Sequence, residues 1–102
     1  MDRQTAAELA DEHDQKASAA RFERRYWEAL YENALAFHYS NVGIPLPHDG
    51  GAIQAMMRFG HDELMLRLPP EKRKPMNAEI VAWSRDSGDE AELSAILEKY
   101  KK

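Results

Sequence analysis

Residues 21–39, RFERRYWEALYENALAFHY, decide how this chain folds. They hold six of the nine aromatic residues of the 102-residue sequence. At a helical step of about 100° per residue, Phe22, Tyr26, Ala29, Leu30 and Phe37 share one face. Trp27, Tyr31, Leu35 and His38 fall on a neighbouring face, and only Arg25, Glu28 and Glu32 form a polar wedge. A helix apolar around so much of its circumference must be covered from two sides. The stretch therefore predicts one long aromatic-rich hub helix, packed by three or four shorter ones. The expected fold class is all-α, in a single helical domain spanning 1–102.

Upstream, residues 6–20 are alanine-rich with Leu9 as the one large apolar anchor. Thr5-Ala-Ala-Glu8 has the pattern of a capping box. No glycine or proline lies between 6 and 39, so the reading favours a helix continuous into the hub, with a frayed or extended start over 1–20. Downstream, Gly43 and the prolines of Ile44-Pro45-Leu46-Pro47 predict that the hub ends near Tyr39 and that 40–51 is a loop. Ala52–Phe59 reads as a second helical segment. Over 64–68 two patterns compete. Leu64, Leu66 and Leu68 alternate as in a short strand, whereas Ile53, Met57, Gly60, Leu64 and Leu68 continue a helical stripe. Helix is preferred within a monomer; in a homodimer a strand could pair with its copy.

Pro69-Pro70 closes that segment. Glu71 to Pro75 reads as a charged connector, followed by a helix from Met76 to Arg85 with Met76, Ile80 and Trp83 on one face. Ser87-Gly-Asp-Glu90 has capping-box spacing and opens a last helix at 89–100, whose stripe is Leu93, Ile96, Leu97 and Tyr100. Its acids lie at the N-terminus and its lysines at the C-terminus, as the helix dipole favours.

Composition narrows the function classes. The chain has 43% apolar and 31% charged residues, no cysteine, and a net charge of −4. Five acids and one base fall in residues 1–15, and the rest is balanced. Nothing draws the chain as a whole toward nucleic acid. The absence of cysteine removes thiolate chemistry and disulfides. No apolar run reaches the roughly 18 residues of a membrane span. These features read as a cytoplasmic protein with no membrane partner.

Candidate chemistry is sparse. There is no nucleophile elbow, phosphate-cradling loop or dinucleotide glycine pattern. His48-Asp49 and His61-Asp62-Glu63 carry ligand-type side chains, but their spacing matches no compact metal motif. No metal, cofactor or catalytic residue is expected, and the chain reads as non-enzymatic. Arg21, Arg24 and Arg25 alternate with Glu23 and Glu28 as intrahelical pairs would. Trp27, Tyr31, Leu35 and His38 form the expected protein-binding stripe, because clustered aromatic surface beyond what a short chain can cover marks an interface. The leading expectation is a small regulator or inhibitor that binds a protein partner through that face.

Two fragments, Leu64-Met-Leu-Arg-Leu-Pro-Pro-Glu71 and Met76-Asn-Ala-Glu-Ile-Val81, resemble the strand and the second helix of Arc-type ribbon-helix-helix repressors. The resemblance covers about a fifth of the chain. It implies a dimer whose paired strands enter the DNA major groove, with Glu63, Met65 and Arg67 facing DNA and Asn77 starting a helix near a phosphate. With the basic patch Lys72, Arg73 and Lys74, this is the alternative reading, a DNA-binding transcriptional regulator. The family places a full helix between the two fragments, where this chain has Lys72-Arg73-Lys74-Pro75.

Overall fold

A computed structural model describes residues 2–43 and 68–101. All regular structure among these residues is helical, in the order α1 (Arg3–Phe22), α2 (Tyr26–Gly43), α3 (Pro70–Asp86) and α4 (Glu90–Lys101). The all-α expectation holds. The expected segments at 44–67, including the helix at 52–59 and the strand-or-helix question over 64–67, lie outside the described residues.

The hub is not one continuous rod. The chain leaves the helix after Phe22 and re-enters it at Tyr26. The amide of Arg25 donates to the Ala20 carbonyl (2.8 Å) and that of Arg24 to Arg21 (3.0 Å). This is the double bond pattern of a Schellman ending, which requires a left-handed residue between them. Arg24 takes that role with φ 63°. Glycine is the usual occupant, so the sequence shows no break. The consequence is a helical hairpin, α1 against α2, in place of a long helix. Phe22, expected on the hub's apolar face, is instead 89% exposed at the corner.

Small residues let α1 lie close to α2, its main packing neighbour. Ala6, His13, Ala17 and Ala20 recur at heptad-like spacing and are all buried. Ala29, Asn33 and Ala36 are buried on α2. His13 Nδ1 meets Glu32 Oε2 at 2.5 Å, and the imidazole stacks on Tyr39 with ring centres 5.6 Å apart. Glu32, expected in the solvated wedge, is thus largely covered by α1. The N-terminus of α1 is capped by Asp2, whose carboxylate accepts the Thr5 amide (2.8 Å) and hydroxyl (3.1 Å). The expected Thr5–Glu8 box is therefore displaced three residues toward the start.

The other side of α2 builds the large-residue core. Leu30, Ala34 and Leu35 meet Met76, Ile80 and Trp83 from α3 and Leu93 and Leu97 from α4. The inward faces expected for α3 and α4 are those observed, with Ile96 and Tyr100 partly covered at the edge. Each fully buried large apolar side chain contributes about 1.5–3 kcal/mol.

Helix limits depart from expectation at three places. Residues 40–43 continue α2 where a loop was expected. The connector 71–75 is helical, because Pro69 stands at the N-cap and Pro70 at the first helical position, where a fixed φ and a missing amide cost nothing. Pro75, one turn further on, forfeits only the bond to the exposed Glu71. The α3–α4 turn is capped by Asp89 rather than Ser87: its carboxylate accepts the Glu92 amide (3.1 Å), while the Ser87 hydroxyl bonds the Glu92 side chain.

Candidate partner-binding face

Trp27 and Tyr31 lie one turn apart on α2 and face α4, both half-buried. Burial, followed by the nearby Glu90 carboxylate, raises the Tyr31 hydroxyl pKa, opposed by the neighbouring Ser94 side chain. Between the helices an open groove of about 250 Å³ is lined by Trp27, Tyr31, Ser94, Leu97, Glu98 and Lys101. Lys101 Nζ sits 5.8 Å from the centre of the Trp27 ring and 2.9 Å from Glu98. The groove combines an aromatic wall, an aliphatic floor and charged edges, which suits recognition of a side chain rather than bond chemistry.

At its α2 end the groove meets a second depression of about 450 Å³, bounded by Arg24, Arg25 and Tyr26 and sharing Trp27, Glu28 and Lys101. Arg25 is held by Glu23 (2.7 Å) and by Glu28. Arg24 is exposed and has no ion-pair partner among the described residues. Phe22 stands at the same corner.

The two remaining members of the expected stripe go elsewhere. Leu35 is fully enclosed in the core. His38 is three turns from Trp27 and lies under the α3–α4 turn. Its Nδ1 bonds Ser84 Oγ at 2.9 Å, and its ring packs on Trp83 and Tyr39, each 5.2 Å away between centres. Burial lowers its pKa, opposed by a hydrogen bond that the ring donates to the Ser84 backbone. Gly88 (φ 67°) closes over it. His38 thus keys α2 into the α3–α4 turn. That turn is also fastened by the Trp83 indole, which donates to the Asp89 carbonyl at 2.6 Å.

The ribbon-helix-helix resemblance does not survive. Leu68 lies in a bend, and Pro70 to Asp86 is one uninterrupted helix where the family has a helix, a turn and a second helix. No strand occurs among the described residues. Lys72, Arg73, Lys74 and Asn77 all sit on α3, Lys72 and Lys74 exposed and Arg73 and Asn77 half-buried. Arg67 lies outside the described residues, as do Glu63, Met65, His48, Asp49, His61 and Asp62. No group of three or more potential metal ligands converges among the described residues.

Sequence reasoning missed Phe22 and Arg24 as surface features. Periodicity assigns both to a continuous helix, and the only textual hint of a corner is the change from alanine-rich to aromatic-rich composition between 20 and 26.

Fold and face together define a small helical protein with an aromatic groove opening onto a basic corner. No helix of the described residues is long and apolar enough to cross a membrane. No family model matches the chain, and no curated protein or solved structure is significantly similar to it.

Proposed function

We propose that this is a non-enzymatic interaction protein, a regulator or inhibitor in the cytoplasm, that binds a protein partner through the Trp27/Tyr31 face of α2. The observation that carries the reading is the α2–α4 groove, where two large aromatic side chains remain half open beside an aliphatic floor. Aromatic residues contribute disproportionately to protein interfaces, and they do so from pockets that exclude water. The charged side chains at the groove's rim pair with one another at exposed positions, an arrangement typical of a solvated surface rather than of a tuned acid–base site.

The test is a quantitative pull-down from the native host, with wild-type chain and Trp27→Ala as parallel baits. Proteins retained by wild type and lost with Trp27→Ala, while its circular dichroism is unchanged, support the reading. An identical retained set removes it. A variant that loses its helicity is replaced by Lys101→Glu, which alters the same wall from an exposed position.

A further inference from the structure

We infer that the α1–α2 corner and the adjoining end of the groove dock an acidic segment of the partner protein, with Arg24 taking a carboxylate and Phe22 and Trp27 gripping a neighbouring apolar side chain. This rests on the protein-binding reading of the Trp27 face and specifies the chemistry it accepts.

Three observations converge on the corner. Phe22 is 89% exposed, which leaves a full aromatic ring in water at the last residue of α1. Arg24 is exposed and lacks an ion-pair partner among the described residues, whereas Arg25 is paired with Glu23 and Glu28, and Lys101 with Glu98. Arg24 also occupies a left-handed backbone position with φ 63°, where glycine would serve the turn without strain. The fold gains nothing visible from a phenyl ring and a guanidinium at these two positions. A bound carboxylate would complement the guanidinium in a two-pronged, charge-assisted contact. The apolar wall contributed by Trp27 lies beside it in the shared depression.

Competing occupants fit less well. A second copy would present its acidic arm, but Leu9, the one large apolar side chain of residues 2–15, is half-buried in its own fold. Nucleic acid would present a row of phosphates, whereas Arg25 and Lys101 beside this corner are already paired with carboxylates, on a chain whose net charge is −4.

The experiment pans a displayed library of random 16-residue peptides on the full chain and measures the selected peptides, labelled, by fluorescence polarisation. Expected is a consensus with carboxylates flanking an aromatic or aliphatic residue. Its affinity should fall roughly tenfold or more with Arg24→Gly and with Phe22→Ala, and should weaken as salt rises. Arg24→Gly is the sharper variant, because it suits the left-handed turn and keeps the fold. Peptides that bind Arg24→Gly as well as wild type, yet lose binding to Trp27→Ala, overturn the acidic-segment inference and leave the protein-binding reading standing. No peptide sensitive to Trp27 removes both. Binding to phosphatidylserine vesicles, or a dimer in sedimentation that Phe22→Ala dissolves, with no peptide selected, also overturns the inference.

Discussion

Gly88 shows how a single position couples three helices. An added Cβ would stand 2.2 Å from His38 Nε2, on a backbone with φ 67° that side chains rarely adopt. Gly88→Ala should therefore destabilise by about 2 kcal/mol or more in chemical denaturation, from the φ penalty plus the displaced imidazole. The double variant Gly88→Ala/His38→Ala should recover the steric part relative to Gly88→Ala alone. His38 also carries a pH signature. Burial holds its folded-state pKa below the ordinary 6.5. Below that value the unfolded chain binds the proton first, so the stability His38 contributes is complete above about pH 6.5 and is lost as pH falls toward the folded-state pKa. Denaturation from pH 8 to pH 5 should show a steeper decline for wild type than for His38→Gln. Parallel curves would mean that the imidazole is solvated in the fold. The sequence placed His38 on the second face of the hub, in the expected protein-binding stripe. It had no means of showing that Ser84 and Gly88, 46 and 50 residues away, would enclose it.

Among the helices, α1 and α2 depend on a left-handed residue that the sequence does not advertise. Arg24→Gly should raise stability by about 1 kcal/mol through relief of the left-handed strain. That corresponds to roughly 4–8 °C in Tm for a chain near this size. A fall in Tm would show instead that the Arg24 side chain stabilises the corner. The misreading of 21–39 as one helix has a local cause: Schellman endings are recognised by glycine, and the 21–26 segment has none. The connector at 71–75 was misread for the opposite reason. Pro75 looks like a stop, but a proline near a helix start removes a bond whose carbonyl water can reach. By contrast, α4 was legible but for its cap, since its i, i+3, i+4, i+7 stripe and its charge polarity agree on one helix.

In the whole molecule, α2 lies between two unlike surfaces. Small residues and the His13–Glu32 pair seal it to α1, and large aliphatic residues seal it to α3 and α4. Leu30 is fully buried on the second side. Leu30→Ala should cost about 2–5 kcal/mol. Because both surfaces share one helix, far-UV circular dichroism and tryptophan fluorescence should melt together in that variant. An α1 that outlasts the α3–α4 pair would contradict the central role of α2.

By itself, the sequence determined that the chain is helical, which faces of α3 and α4 turn inward, and that the aromatic stretch needs covering from two sides. Those follow from periodicity and composition, which are local. Only the tertiary structure decided where the aromatic stretch breaks, that Leu35 and His38 are enclosed while Trp27 and Tyr31 line an open groove, and that Phe22 stands in solvent beside Arg24. These outcomes depend on which distant helix covers which side of α2. Residues at equivalent places on one helical stripe look alike until a neighbour distant in the chain packs on some of them and leaves the others open.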